Sequence, residues 1–358
     1  VKVLFAGGGT GGHLYPALAV AEHLRRTRPD CECAFMGSAH GLEARLVPQH
    51  GFTLHVIPGS GFRRMGLGGR IRAFFDLGRG VAAALAFVGR WRPDVVVATG
   101  GYASLAAGIA AAVLRRPLVV QEQNSIPGVS NRLLGRLARE IHVAFPGCER
   151  YFAKPVKVTG NPLRAEILQP QAPPVDLPAG APIVLVVGGS RGARSINNAV
   201  AAAIPIVAQR RRVVWLWQTG ELDHARLAPQ WDGAPDVRLR AYIDAMPAAL
   251  AAATLLVCRA GAMTLAEITA LGKAAILVPF PGAVDDHQTA NARALVDAGA
   301  AVLVADRDLD AARLAAEVDA LLGDPARLER MRAASRSLAR PHATEELAAA
   351  VTQQVGRG

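Results

Sequence analysis

The sequence predicts an α/β protein made of two similar parallel-sheet domains that face each other across a cleft. Two observations carry this. Short apolar, β-rich runs alternate with alanine-rich helical stretches along the 358 residues, the pattern of parallel strands covered by helices on both faces. One unit, a strand followed by a glycine turn and a helix, also occurs twice. Gly7-Gly8-Gly9-Thr10-Gly11-Gly12 follows the apolar run Val1 to Ala6, and Gly188-Gly189-Ser190-Arg191-Gly192 follows Ile183 to Val187. Each unit is a ready site for an anion, because free backbone N–H groups and the positive end of the helix point at the same place.

In the first domain, strands are expected at 1–6, 33–36, 53–57, 95–98, 118–121, 141–143 and 156–158. In the second they are expected at 183–187, 213–218, 237–239, 255–257, 275–278 and 301–304. The uncharged run 95–114 has nearly the length of a membrane span. Thr99-Gly100-Gly101-Tyr102 divides it, with β-branched residues before the break and alanines after, so strand, turn and buried helix is the preferred reading. Proline and glycine mark the domain boundary. Thr159-Gly160-Asn161-Pro162 ends the first domain at residue 160, and proline-rich loops at 169–174 and 178–182 lead into the second, 161–340. Closure of the domains is expected about a hinge at 159–164. Pro341 breaks the helical C-terminal region, so 341–358 is expected to form a helix that packs back on the first domain.

No early stretch combines a charged start, an apolar middle and a small-residue cleavage site, so Val1 to Phe5 is expected to be a core strand of a cytoplasmic protein. The four cysteines form no C-x-x-C pair and are expected as buried, reduced thiols. Of the net charge of +11, one stretch carries a large share. Between Phe62 and Arg92 stand Arg63, Arg64, Arg70, Arg72, Arg79, Arg90 and Arg92 against the single acid Asp76, interleaved with Phe62, Met65, Leu67, Ile71, Phe74 and Phe75. Such a stretch fits either an anionic membrane surface or an amphipathic helix with a solvated basic face. No helix-turn-helix, zinc-finger or RNA-binding signature is visible and aromatics are only 5%, so no nucleic-acid partner is expected.

Several segments can carry chemistry. Gly7-x-Gly9-x-x-Gly12 formally matches a dinucleotide fingerprint, with Glu32 about where a ribose-binding acid would stand. It fails as an ATP-binding loop, because His13-Leu14 replaces the Lys-Ser/Thr that would hold phosphate and Mg²⁺. His13, at the tip of a tight glycine turn, can accept a proton near neutral pH. In Arg259-Ala260-Gly261-Ala262-Met263-Thr264-Leu265-Ala266-Glu267, small residues open a helix whose N–H groups at 262–264 can meet a phosphate. Glu267 further along can accept two vicinal ribose hydroxyls. Taken alone, that segment equally fits a helix with an early acid that suits its dipole. In the loop 279–292, Gln288 and Asn291 stand at i, i+3 and can both face the cleft, and Asp285-Asp286 can cap the helix. Asp306-Arg307-Asp308 resembles a D-x-D metal motif but is expected to be a cap and loop, with no metal.

Together these motifs resemble the MurG family of bacterial cell-wall glycosyltransferases. The resemblance lies in Gly8-Gly9-Thr10-Gly11-Gly12-His13, Glu122-Gln123-Asn124-Ser125-Ile126-Pro127-Gly128 and Gly160-Asn161-Pro162-Leu163-Arg164. It continues in Gly188-Gly189-Ser190-Arg191-Gly192-Ala193-Arg194, Arg259-x-Gly261-Ala262-Met263-Thr264-x-x-Glu267 and His287-Gln288-Thr289-Ala290-Asn291-Ala292. It covers nearly the whole chain, with the motifs in order. It implies two Rossmann-like domains in the GT-B arrangement, and inverting transfer of N-acetylglucosamine from UDP-N-acetylglucosamine to the 4-hydroxyl of undecaprenyl-pyrophosphoryl-N-acetylmuramoyl-pentapeptide. No cofactor or essential metal is implied. The location implied is peripheral, on the cytoplasmic face of the bacterial inner membrane, with the first domain facing the membrane and the acceptor.

The acceptor hydroxyl is a poor nucleophile that a neighbouring base would help, and His13 is the candidate. The resemblance implies the remaining roles. Ser190 and its turn meet the UDP pyrophosphate, Arg164 touches the donor, and Ile243 pairs with uracil through its backbone. Ala262, Met263, Thr264, Leu265, Ala266 and Glu267 hold phosphate and ribose, with Glu267 on the ribose hydroxyls, and Gln288 binds the sugar. Thr10, Gly11, Gly12 and Asn124 line the wall near the acceptor and transferred sugar. Two positions depart from the family pattern: Gln121 and Gly282 stand where relatives often have histidine. A UDP-N-acetylglucosamine 2-epimerase would share the donor without the lipid. An NAD-dependent oxidoreductase would leave the second glycine turn unexplained. A basic membrane or nucleic-acid adaptor would consume no UDP-sugar.

Overall fold

Every strand expected from the sequence is present, with ends within two residues of those expected. The computed structural model describes residues 1–59, 67–169, 171–172, 177–178, 180–189 and 191–355, and the side-chain surroundings of 67–74 lie outside that description. In chain order the first half comprises β1 (Lys2–Gly7), α1 (Gly11–Thr27), β2 (Glu32–Gly37), α2 (Leu42–Gln49), β3 (Thr53–Val56), α3 (Leu67–Trp91), β4 (Val95–Gly100), α4 (Tyr102–Val113), β5 (Leu118–Glu122), α5 (Val129–Gly135), β6 (Glu140–Val143), β7 (Lys157–Val158) and the one-turn α6 (Ala165–Leu168). The strands form one seven-stranded parallel sheet in the order β3-β2-β1-β4-β5-β6-β7.

Strand alternation sends successive side chains of β1 to opposite faces. Leu4 and Ala6 enter the core formed with α3, α4 and α5, where Val88, Ala106 and Leu134 are fully buried. Val3 and Phe5 enter the opposite core with Leu14 and Leu18 of α1. The uncharged run 95–114 is β4, a turn and α4, and among the described residues no helix is long and apolar enough to cross a membrane.

The second half comprises β8 (Ile183–Val187), α7 (Arg194–Ala208), β9 (Val214–Gln218), α8 (Glu221–Trp231), β10 (Val237–Arg240), α9 (Met246–Ala252), β11 (Leu255–Cys258), α10 (Ala262–Ala270), β12 (Ala275–Leu277), α11 (His287–Asp297), β13 (Ala301–Leu303), α12 (Ala311–Leu322), α13 (Pro325–Ser337) and α14 (Ala343–Gln353). Its sheet has six parallel strands in the order β10-β9-β8-β11-β12-β13. Val184 and Val186 of β8 join a core with Ile196 and Val200 of α7 and Leu314 and Val318 of α12. Trp217 is fully buried, and its Nε1 donates to Asn197 Oδ1 at 2.9 Å, which satisfies the one polar atom such burial would orphan. Both sheets reverse strand order beside their first strand, at β1/β4 and β8/β11. In open α/β sheets, ligands bind outside the carboxyl ends of the strands at that reversal.

Two units emerge from the packing: residues Val1–Ala165 with Arg340–Gly358, and Glu166–Ala339. The first therefore runs five residues past the boundary at 160 read from the sequence. The segment 159–164 packs inside that unit. Asn161 is 4% exposed and Leu163 5%. Leu163 donates its N–H to Thr344 Oγ1 at 3.0 Å, and the same hydroxyl donates back to Leu163 O at 2.9 Å. Leu347, Ala348 and Val351 of α14 complete the core beneath α1.

Candidate functional site

At the first strand-order reversal, β1 ends at Gly7 against Thr99 of β4, too close for any side chain at 7. Gly9 then takes a φ of +80°, which glycine adopts without strain. Thr10 is the extended N-cap of α1, and Gly11, Gly12 and His13 form its first turn. His13 is half buried. Its Nδ1 lies 2.8 Å from Gln123 Oε1, just beyond β5. Gly100, at φ +117°, lets the ring approach the end of β4.

Glu43 of α2 closes part of this turn. Its carboxylate is 1% exposed and accepts from Gly9 N at 2.9 Å, Ser38 N at 3.0 Å and Ser38 Oγ at 2.6 Å. Burial alone would push its pKa up. The Ser38 hydroxyl and the Gly9 and Ser38 amides outweigh that and hold it below the ordinary glutamate value. The protein's own carboxylate thus already uses one N–H of the first turn, which reduces what remains for an outside anion. Glu32 cannot complete a dinucleotide site, because it lies at the amino end of β2, away from the carboxyl ends, with its carboxylate beside Trp91 Nε1 at 3.3 Å.

A second buried carboxylate shapes the neighbouring loop. Glu122, 1% exposed, accepts from Asn124 N at 2.8 Å, Gly128 N at 3.1 Å and Asn131 Nδ2 at 2.9 Å. Asn124 is thereby held one residue from Gln123, at the same sheet end as His13. Arg164 lies in the first unit, with its guanidinium 5.4 Å from the ring centre of Tyr15 on α1.

At the second reversal, Ser190 lies outside the described residues. Gly189 and Gly192 take φ of +97° and +76°, and Gly192 packs against the Thr219 carbonyl with no room for a side chain. Gln218, 2% exposed at the end of β9, donates to Gly189 O at 3.1 Å and accepts from Ile243 N at 3.0 Å. The Ile243 N–H is thus already engaged, which leaves its carbonyl as the backbone group for the expected pairing with uracil. Gly261 is the extended N-cap of α10, whose first turn holds Ala262, Met263 and Thr264. Leu265 is 1% exposed and sends its side chain to the core, so only its backbone can serve a ligand, while Ala266 and Glu267 are half buried.

Arg259, unassigned from the sequence, ties these pieces together. Its Nη1 donates to Asp306 Oδ1 at 2.6 Å, Val278 O at 3.1 Å and Pro279 O at 3.0 Å, and its Nη2 to Ser195 Oγ at 3.0 Å. Asp306 is therefore an anchor for the arginine rather than a simple cap. Gln288 accepts from Phe280 N at 2.9 Å and so fixes the loop before α11. Asn291 does not share an open face with Gln288. It is fully buried, with Nδ2 toward Ala260 O. Asp286 makes no side-chain cap to a backbone N–H and instead accepts from Thr289 Oγ1 at 2.7 Å. Cys258 is fully buried at the end of β11, and burial pushes its thiol up to about 12, so it is an inert neighbour of the site. Cys31 and Cys33 are only half buried, because their strand face opens toward the amino end of β2, and their sulfurs lie 3.9 Å apart.

Among the described residues, no group of His, Cys, Asp or Glu side chains is gathered for a metal ion. Sequence reasoning missed Glu43, Gln218, Arg259 and Asp306 as organisers, since each acts through a partner distant in the chain.

Residues 3–143 match the glycosyltransferase family 28 N-terminal domain, and residues 183–349 its C-terminal domain. A protein of Anaeromyxobacter dehalogenans is 43% identical over 362 residues, covering 100% of this chain and 94% of that protein. One of Burkholderia multivorans is 45% identical over 349 residues, covering 95% and 93%. Both are named UDP-N-acetylglucosamine--N-acetylmuramyl-(pentapeptide) pyrophosphoryl-undecaprenol N-acetylglucosamine transferase. The crystal structure of Acinetobacter baumannii MurG superposes with a TM-score of 0.81 at 31% identity, covering 98% of this chain and 99% of that one. A UDP-N-acetylglucosamine 2-epimerase from Listeria monocytogenes, at TM-score 0.72 and 15% identity, shares the fold alone. With both family domains matched in order and relatives similar over nearly its full length, the chain belongs to glycosyltransferase family 28, among the MurG N-acetylglucosaminyltransferases.

Proposed function

We propose that the chain transfers N-acetylglucosamine from UDP-N-acetylglucosamine to the 4-hydroxyl of undecaprenyl-pyrophosphoryl-N-acetylmuramoyl-pentapeptide, with inversion at the sugar's anomeric carbon. The observation that carries this is similarity to transferases of that name along nearly the whole chain. The geometry supplies the chemistry. His13 donates from Nδ1 to Gln123, which leaves Nε2 without a hydrogen-bond partner among the described residues. As the acceptor oxygen bonds to the sugar carbon, His13 Nε2 takes its proton. The bond from that carbon to the UDP oxygen breaks, and its electron pair leaves with UDP. General-base help of this kind is worth about 10²–10⁴-fold in rate.

The leaving diphosphate gains negative charge. The backbone N–H groups of the 188–194 turn and of the first turn of α10 are assigned to it, and preorganised donors of that kind lower a barrier by several kcal/mol. Ser190 and Arg164 are assigned to the donor, Ile243 to uracil, Ala262 to Glu267 to phosphate and ribose, and Gln288 to the sugar. Thr10, Gly11, Gly12 and Asn124 are assigned to UDP-N-acetylglucosamine as well, on the wall near the acceptor and the transferred sugar. Replacing His13 by alanine tests the base. Turnover should fall about 100-fold or more with UDP binding nearly intact, and equal loss of both would refute the role.

A lipid-anchored acceptor requires a membrane-facing surface on the first unit, at the cytoplasmic face of the inner membrane. Residues 60–66 of the basic stretch and the side chains of 67–74 lie outside the described residues, while Phe75 is 67% exposed. A second basic region supports the reading. Arg115, Arg116, Arg136 and Arg139 line a hollow of about 500 Å³ at the amino ends of β5 and β6, and Val113, Leu133 and Leu137 nearby are exposed. Arginines beside exposed aliphatic side chains suit an anionic lipid surface. Sedimentation with vesicles should require anionic lipid. Binding unchanged after neutralising Arg79, Arg90, Arg115 and Arg136 would count against it.

A further inference from the structure

We propose that Gln123 is a positioning residue for the His13 base, the near end of a buried amide chain that decides which imidazole nitrogen carries the proton. This rests on the reading of His13 as the base. A neutral imidazole protonated on Nδ1 presents a lone pair at Nε2, and the other tautomer presents none there. Gln123 Oε1 faces the ring at 2.8 Å because the nitrogen end of its amide is surrounded by acceptors. Gln123 Nε2 donates to Thr99 O at 2.8 Å, to Gln121 O at 3.0 Å and to Gln121 Oε1.

The next amides are determined in the same way. Gln121 Nε2 donates to Asn161 Oδ1 at 3.0 Å, and Asn161 Nδ2 donates to Gln123 O at 3.1 Å. Backbone carbonyls hold both ends of the chain, and a carbonyl cannot donate. Flipping any one amide would set oxygen against oxygen or nitrogen against nitrogen. Gln121 and Gln123 are fully buried and Asn161 is 4% exposed, so water offers no easy alternative. Gln121 is the middle link. The chain is neutral throughout. It orients the ring without placing a full charge beside it, so the protonated ring is not locked into an ion pair and can return its proton after each turnover.

The test is nitrogen NMR on the full chain labelled with ¹⁵N-histidine, with the His13 signals assigned by their loss in His13→Gln. Above the imidazole titration, wild-type His13 should carry its proton on Nδ1. In Gln123→Leu it should move to the Nε2–H form that unrestrained imidazoles prefer. kcat should fall about tenfold or more with the KM for UDP-N-acetylglucosamine within about twofold. Gln123→Glu keeps an acceptor oxygen toward the ring, so it should keep the Nδ1–H form and move the acidic limb of the kcat/KM profile to higher pH. A wild-type ring protonated on Nε2 overturns the proposal without any variant. So does an Nδ1–H ring that persists in Gln123→Leu, or a tautomer change that leaves kcat unaltered. Full turnover in His13→Ala would overturn the base reading instead, and would leave the tautomer assignment standing.

Discussion

The imidazole of His13 packs against the backbone of Gly100, so closely that a Cβ added at 100 would lie 2.6 Å from Nδ1 and 2.7 Å from Cε1. Gly100 also has a φ of +117°, where an L side chain is strained. Gly100→Ala should therefore push the ring away from Gln123. Turnover should fall about 10–100-fold, while calorimetric binding of UDP-N-acetylglucosamine changes far less, because Ile243, Ala262 to Glu267 and Gln288, assigned to the donor, lie in the second unit. Wild-type turnover in this variant would contradict the proposed role of the contact.

Glu43 makes the first glycine turn pH-sensitive. Its folded pKa is lowered from the ordinary 4.5, so the stability its ionised form contributes is fully present above 4.5 and is lost as pH falls through the lower folded value. Near pH 7, Glu43→Gln should be less stable than wild type by about 1–3 kcal/mol, the penalty for mispairing buried polar groups. That gap should narrow below pH 4.5. Thermal unfolding of both proteins across this range checks it, and a pH-independent gap would show that the charge is not what matters.

Asp306 is predicted to act on the donor side through Arg259. With 12% of the Arg259 side chain exposed, removing the carboxylate leaves a largely buried cation with two carbonyls, a hydroxyl and the Phe280 ring, and no counter-charge in contact among the described residues. Asp306→Ala should lower stability by about 1–3 kcal/mol and raise the KM for UDP-N-acetylglucosamine more than it lowers kcat. Urea denaturation and steady-state kinetics report the two effects separately.

The thiols should divide into two classes. Burial pushes Cys148 and Cys258 up to about 12 and leaves them shielded from reagent, whereas Cys31 and Cys33 are half exposed. Alkylation at pH 8 should first mark Cys31, whose thiol burial also raises, and reach Cys33 more slowly. Cys148 and Cys258 should react only as the protein unfolds. Rapid native labelling of Cys258 would mean that the end of β11 opens more readily than its packing allows.

Much of this architecture is legible in the sequence because its signals are local. Strands such as Ile183–Val187 are apolar runs bounded by glycine, and the turns announce the ends of β1 and β8. The residues that hold the site are less legible because their partners are remote. Glu43 reaches back to Gly9, Gln218 forward to Ile243, and Asp306 to Arg259, pairings that only the fold brings together. Asn291 shows the converse. Helical spacing from Gln288 suggested a shared face, but the density of packing at Ala260 draws its amide inside.

The most direct measurement is release of UDP from UDP-N-acetylglucosamine with and without the undecaprenyl-linked muramyl-pentapeptide acceptor, for wild type and for His13→Ala. The account predicts release only when the acceptor is present, one new sugar–acceptor bond per UDP formed, and a loss of about 100-fold or more in the variant. Release that ignores the acceptor, or a 2-epimerised sugar among the products, would contradict it.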